Sequence, residues 1–210
     1  KYVAQTNKPM LISTGLANFD EIEEAVVTAR DGGCKELALL HCVSGYPAPL
    51  EDYNLLTIKD MQKKFGLVIG LSDHTIENTS AITSIGLGSS IIEKHVTLDR
   101  KAGGPDDSFS LESKDLLGLC RDAKKAWRSM GNVNYGIKSS EQNNIKFRRS
   151  LFFVKDINAG EIITNEHVKS IRPGYGLPPK YLDEIVGKII ISDVKKGSPV
   201  KSEMFKGLNF

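Results

Sequence analysis

The sequence predicts an α/β fold built on a parallel sheet, followed by a small β-rich unit. Two observations carry this. Up to about residue 130 one theme recurs, a short apolar run, a polar turn, then an amphipathic helix, which is how strands covered by helices read. Beyond Ser150 that theme stops and one segment is written twice. Asp156-Ile157-Asn158-Ala159-Gly160-Glu161-Ile162 through Val168 is echoed by Asp193-Val194-Lys195-Lys196-Gly197-Ser198-Pro199 through Phe205. Each copy reads as a strand, a glycine turn and the start of a one-turn helix.

Strand-like runs stand at Met10–Ser13, Leu37–His41, Leu67–Leu71 and Ser90–Val96. They are apolar along their length, as strands buried on both faces are. Between the first two, Asn18 is a good N-cap with Glu21 three residues later. Ile22, Ala25, Val26 and Ala29 then form a buried stripe that ends at Gly32 and Gly33. A second helix is predicted after Ser110, with Leu116, Leu119, Cys120, Ala123 and Trp127 at helical spacing and Gly131 beyond its end. The predicted organisation is a sheet domain over 1–131, a polar connector over 132–149 and a β-rich domain over 150–210. A complete (β/α)₈ barrel takes about 250 residues. Four strand-and-helix units therefore make either a small open sheet or the second half of a barrel.

Composition excludes several classes. The 210 residues are 40% hydrophobic and 26% charged with a net charge of +2, too balanced for a nucleic-acid surface. No apolar run reaches the ~18 residues of a membrane span, and no apolar stretch follows Lys1 as in a secretory leader. Three cysteines (Cys34, Cys42, Cys120) without CxxC spacing fit neither a disulfide framework nor a zinc site, so a reducing, cytoplasmic setting is expected.

Parallel sheets collect function at the C-terminal ends of their strands. Here those ends read Ser13-Thr14-Gly15, His41-Cys42-Val43-Ser44-Gly45-Tyr46-Pro47, Ser72-Asp73-His74-Thr75 and Glu93-Lys94-His95. His74 and His95 lie 21 residues apart, about one unit, so they are expected side by side. Two imidazoles with water or substrate oxygens suit a divalent transition metal. The hydroxyls of Ser13, Thr14, Ser44 and Ser72 suit a phosphate or carboxylate. Lys94 is expected to neutralise an anion or to pair with a neighbour such as Glu93. Residues 100–107 read as a mobile loop able to close over a ligand.

Taken in order, residues 41–49, 70–75 (Gly-Leu-Ser-Asp-His-Thr), 93–98 (Glu-Lys-His-Val-Thr-Leu) and 103–106 (Gly-Gly-Pro-Asp) resemble the sialic acid synthase family. Its members condense phosphoenolpyruvate with an amino sugar to make nine-carbon 2-keto acid sugars. The segment Ile171-Arg172-Pro173-Gly174-Tyr175-Gly176 is similar to the antifreeze-like (SAF, β-clip) domain that follows the barrel in that family. The resemblance implies the C-terminal half of a (β/α)₈ TIM barrel followed by that domain. It also implies that the N-terminal half of the site, with a catalytic Glu and phosphate-binding lysines, lies outside this chain. Ser44 through Pro49, the Gly103–Asp106 loop with Phe109-Ser110-Leu111-Glu112, Arg148-Arg149-Ser150-Leu151 and Arg172 through Pro179 resemble the branch that makes pseudaminic acid. Sialic acid synthases proper carry Asn where Ser44 stands, and legionaminic acid synthases usually lack the Gly-Tyr-Gly-Leu run.

By the same resemblance His74 and His95 are catalytic and hold a divalent metal, Mn²⁺ first, with Co²⁺ or Mg²⁺ as alternatives. Ser13, Ser44 and Ser72 align with the phosphoenolpyruvate pocket, and Tyr46 and Asp106 with sugar contacts. Arg172 aligns with an arginine that reaches the sugar from the partner subunit, implying a domain-swapped homodimer. The competing readings are a sialic or legionaminic acid synthase, a non-catalytic carbohydrate-binding or dimerisation fragment, and an unrelated metal-dependent aldolase.

Overall fold

A computed structural model describes residues 1–208. The chain divides into two compact units, Lys1–Val133 and a second beginning at Asn134.

The first unit is a parallel sheet of β1 (Met10–Ser13), β2 (Leu37–Cys42), β3 (Val68–Asp73) and β4 (Ile92–Lys94), which are neighbours in chain order. That order has no reversal, so the sheet winds in one direction, as half of a barrel does, and has no doubly wound switch point. The helices are α1 (Phe19–Asp31), α2 (Thr57–Phe65), α3 (Thr79–Gly86) and α4 (Ser113–Met130). Ile12, Leu39, Ile69 and Leu71 form one row across the strands and pack on Ile22 and Val26 of α1, Ile58 and Met61 of α2, and Tyr53. The alternate row carries Leu11, Ser13 and Glu93, all exposed, and Leu40, Cys42 and Ser72, which are buried.

The capping box at α1 forms as expected. Asn18 Oδ1 accepts the Glu21 N–H and Glu21 Oε2 accepts the Asn18 N–H, satisfying two otherwise orphan donors. Three expectations needed correction. β3 runs to Asp73 and β4 is only three residues long. α2 and α3 fall where the recurring strand-and-helix theme calls for helices, but their bounds were not read from the sequence. In α4, Leu119 is buried, but Cys120 is exposed and Trp127 is 70% exposed. That helix seats Leu116 and Leu119 against Ala81, Ile82 and Leu111, and this contact is narrower than the apolar stripe.

In the second unit β5 (Ser150–Phe153) pairs antiparallel with β6 (Val168–Ile171) over a core that includes Leu151, Phe153, Ile163, Ile185 and Val200. The sequence repeat is realised as a reciprocal contact. Ile157 and Val194 exchange both backbone hydrogen bonds, at 3.0 and 2.9 Å. Asp156 Oδ1 accepts the Lys196 N–H at 2.7 Å, and its counterpart Asp193 Oδ1 accepts the Ala159 N–H at 2.8 Å. The same bond is therefore made twice in opposite directions. Each copy forms an isolated bridge rather than the expected strand, because Gly160 (φ 91°) and Gly197 (φ 90°) turn the chain away.

These caps predict acid sensitivity. The Lys196 N–H and then the Lys195 ammonium hold the Asp156 carboxyl below its ordinary value, and the Asn158 backbone and side chain do the same for Glu161. A carboxyl depressed in the folded state contributes stability above its unfolded value, about 4, and that stability is lost as pH falls through the folded value. The second unit should weaken progressively below ~pH 4. Asp156→Asn should lower stability at pH 7 and flatten this acid dependence in urea titrations. An Asn variant as acid-sensitive as wild type would exclude the cap as the cause.

Candidate active site

β3 and β4 align Ser72 with Glu93 and Asp73 with Lys94. Side chains alternate along a strand, so Ser72 and Glu93 point to one face and Asp73 and Lys94 to the opposite, helix-covered one. On the first face Ser72 Oγ donates to Glu93 Oε1 at 2.7 Å. On the second, Lys94 Nζ lies 3.0 Å from Asp73 Oδ2 with both side chains almost fully buried. Lys94 thus pairs with its register partner across the strands. Glu93, expected as its partner, leaves the strand on the opposite face. Lys94 also donates to the Thr75 and Glu77 carbonyls at 2.8 and 2.7 Å. Burial pushes its ammonium below the ordinary lysine value, against the opposing pull of Asp73.

One step further along, His74 and His95 meet with ring centroids 5.2 Å apart. His74 is buried and held at three points. Its N–H donates to Tyr53 Oη at 2.6 Å, its carbonyl accepts the Ala48 N–H at 3.1 Å, and Nδ1 lies 2.8 Å from the Val43 carbonyl. A carbonyl oxygen only accepts, so Nδ1 carries the proton and Nε2 is left with its lone pair. His95 is half-buried, with Nδ1 3.3 Å from Asp106 Oδ2. Tyr46 lies 4.3 Å from the His74 ring and 5.9 Å from His95, and Phe109 lies 5.2 Å from His95. The imidazoles therefore sit in an aromatic box with one carboxylate at its edge.

Ser13 stands on the same face as Ser72, two strands away. Ser44 follows β2 and packs on Gly15, where a Cβ would come within 2.2 Å of Ser44 Oγ. Only glycine allows that approach, so Gly15 brings the ends of β1 and β2 together. The loop after β4 is tied down rather than free, contrary to its reading from composition. Asp107 accepts from Thr97 Oγ1 and the Gly104 N–H at 2.6 and 2.7 Å, which hold its carboxyl below the usual range. Arg100 donates to Asp115 and to the Ser110 carbonyl. Arg172 belongs to the second unit, where its side chain is exposed and follows β6.

The structure thus gathers Tyr46, His74, His95 and Asp106, sets Ser72 on the adjoining face and Ser13 and Ser44 at neighbouring strand ends, and carries Arg172 on the other unit. Sequence reasoning missed Tyr53, Asp73 and Phe109. The spacing of 21 residues shared by Asp73 with Lys94 and by His74 with His95 was a usable signal for Asp73, Phe109 stood in the 109–112 run without a role, and Tyr53 left no signal. Among the described residues no group of three or more His, Cys, Asp or Glu is placed to hold a metal ion. The two imidazoles could supply two nitrogen ligands and leave other positions to water or substrate. No helix is long and apolar enough to cross a membrane among those residues.

Comparison with known proteins agrees with this geometry. The NeuB family model matches residues 1–135 and the SAF domain model residues 148–206. N,N'-diacetyllegionaminic acid synthase of Campylobacter jejuni is 37% identical over 96% of this chain and 61% of its own length. Pseudaminic acid synthase of the same species is 33% identical over 98% of this chain and 60% of its own. In structure, the N-acetylneuraminic acid (sialic acid) synthetase of Leptospira borgpetersenii, solved with citrate, gives a TM-score of 0.63 at 34% identity over 70% of this chain and 51% of that one. The chain spans about 60% of the length of the curated relatives it matches. With a half-barrel sheet, the paired strand-end histidines and both domain models in order, the chain belongs to the NeuB family and carries a SAF domain as its second unit.

Proposed function

We propose that this chain is part of a phosphoenolpyruvate-dependent nonulosonate synthase. The acceptor we propose is 2,4-diacetamido-2,4,6-trideoxy-L-altrose, and the products pseudaminic acid and phosphate. The observation that carries the reading is the adjacent His74 and His95 pair, with the Nε2 of His74 left free by the Val43 carbonyl. An imidazole fixed through its other nitrogen is how histidine is held when it serves as a ligand. Two such nitrogens completed by water or substrate oxygens suit a divalent transition metal such as Mn²⁺ or Co²⁺, and Mg²⁺ would rely on the oxygens. A bound divalent cation would polarise the sugar aldehyde as a Lewis acid.

The remaining chemistry falls to the substrates and the chain's own groups. The methylene carbon of phosphoenolpyruvate forms the new C–C bond to the aldehyde carbon, whose oxygen takes up a proton. Water adds to the former enol carbon, and the C–O bond to phosphate breaks. Ser13, Ser44 and Ser72 would donate hydroxyls to phosphoenolpyruvate. Tyr46 would present its face to the sugar, and Asp106 would accept from sugar hydroxyls while orienting His95. Oriented groups of this kind position two small reactants and lower a bimolecular barrier by several kcal/mol. The enzyme would be a homodimer in which the SAF domain of one subunit serves the site of the other. The Ser44–Pro49 and Arg172–Pro179 runs favour the pseudaminic branch, and the 37% identity to the legionaminic enzyme favours the second reading, an N,N'-diacetyllegionaminic acid product.

Arg172 tests the sugar assignment. Its loop is pinned, since Ser150 Oγ donates to the Pro173 carbonyl and the Gly174 N–H to the Lys146 carbonyl, while its guanidinium is exposed. Arg172→Ala should raise the sugar KM ~10-fold or more, the worth of one charged hydrogen bond, and leave the phosphoenolpyruvate KM within ~2-fold. Equal effects on both would overturn the assignment. Chelation should abolish phosphate release and Mn²⁺ restore it.

A further inference from the structure

We infer that Tyr53, Asp73 and Lys94 are positioning residues that fix the two histidines from the helix-covered side of the sheet, an inference that rests on the reading of His74 and His95 as ligands. Each residue is buried or partly buried, and none lies on the face that holds the imidazoles. Tyr53 ends the turn Leu50–Tyr53 after β2, and its carbonyl is anchored by His41 Nε2 at 2.5 Å. Its hydroxyl accepts the His74 N–H at 2.6 Å, on the residue directly after Asp73. Asp73 accepts the Thr75 N–H at 2.9 Å and the Lys94 ammonium at 3.0 Å. Lys94 in turn closes on the carbonyls of Thr75 and Glu77. Two sets of bonds thus meet at the end of β3, one running from β2 through Tyr53 to His74 and the other joining Asp73 to Lys94 on β4, with His74 directly after Asp73 and His95 directly after Lys94.

The energetics favour a geometric role. A buried ion pair stabilises a fold little relative to apolar side chains of the same volume, because desolvation offsets its attraction. What this pair does that apolar residues would not is lock the register of Asp73 and Lys94 and the path of the backbone on either side of His74. Outer partners of ligand histidines typically change metal affinity by 10–100-fold when removed.

The test uses the protein encoded by the full reading frame that contains this chain, with Tyr53→Phe, which deletes one oxygen, and Lys94→Met. Mn²⁺ titration is read by electron paramagnetic resonance, and the His74 ring by ¹⁵N spectra. Tyr53→Phe should weaken Mn²⁺ binding ~10-fold or more and convert His74 from a single Nδ1–H tautomer to an exchanging mixture. A residue that only supports the fold would lower the melting temperature and move neither signal. Unchanged Mn²⁺ affinity together with an unchanged His74 spectrum overturns the inference, and Tyr53→Phe decides it even where Lys94→Met fails to fold. Failure of the ligand reading is distinct: wild type and His74→Ala would bind Mn²⁺ equally poorly, and the His74 ring spectrum would still judge the positioning role.

Discussion

Replacing His74 with alanine is expected to abolish Mn²⁺ binding and to lower phosphate release at least ~10³-fold, a loss of about 4 kcal/mol of transition-state stabilisation. The size follows from the geometry. His74 sits 5.2 Å from His95, and among the described residues no group of three or more His, Cys, Asp or Glu is placed to hold a metal ion, so removing one imidazole removes half of the nitrogen ligands the pair offers. His41→Ala supplies the contrast. His41 is buried and bonds to the Tyr53 carbonyl, so its loss should cost about 1–3 kcal/mol of stability through an unsatisfied buried group and should weaken Mn²⁺ binding, through Tyr53, far less than loss of His74 does. Isothermal titration of both variants checks this. Equal metal affinity in His74→Ala and wild type would remove the histidine pair from the mechanism.

The second large effect is on the fold of the SAF unit. At Gly176 an added Cβ would lie 2.3 Å from the Leu151 carbonyl oxygen and 3.0 Å from both the N and O of Val200. All three neighbours are backbone, so no side-chain rotation relieves the clash. The backbone around it is fully engaged. Leu151 N–H donates to the Leu177 carbonyl at 2.8 Å, Leu177 N–H to Val200 at 2.7 Å, and Val200 N–H to Leu151 at 2.9 Å. Gly176→Ala should therefore destabilise this unit by ~3 kcal/mol or more, a large part of what a small domain has. Hydrogen exchange should show lost protection at Leu151, Leu177 and Val200, with the sheet of the first unit unaffected. Gly118→Ala is the control. That glycine lies inside α4 with nothing near its Cβ position, and alanine there should stabilise by ~0.5–1 kcal/mol. Wild-type protection in Gly176→Ala would show that the close approach is not required.

Much of this was legible in the residues. The apolar runs of β1 and β2, the Asn18 and Glu21 capping box and the paired histidines each follow from local pattern or spacing. The repeat gave the reciprocal Asp156 and Asp193 caps in outline. What escaped was long-range. β3 continues through Ser72 and Asp73 because Glu93 and Lys94 satisfy them from the next strand, and a polarity pattern alone ends the strand at Leu71. The sequence offers Lys94 either an anion or a neighbouring carboxylate such as Glu93, but adjacent residues in a strand face opposite sides and the partner lies 21 residues away. Trp127 fits a helical stripe but is exposed, because a stripe records which residues are apolar and leaves open which of them a neighbouring helix covers. Tyr53 lies in a turn with no periodicity, and its role depends on where that turn folds back against His74.

The most direct measurement is phosphate release from phosphoenolpyruvate, with Mn²⁺ and a panel of acceptor sugars, by the full reading frame that encodes this chain. Release that requires a sugar and occurs with 2,4-diacetamido-2,4,6-trideoxy-L-altrose is the predicted result. Release with N-acetylmannosamine in its place would contradict the branch drawn from Ser44 and the Gly-Tyr-Gly run. No release with any sugar would contradict the synthase reading itself.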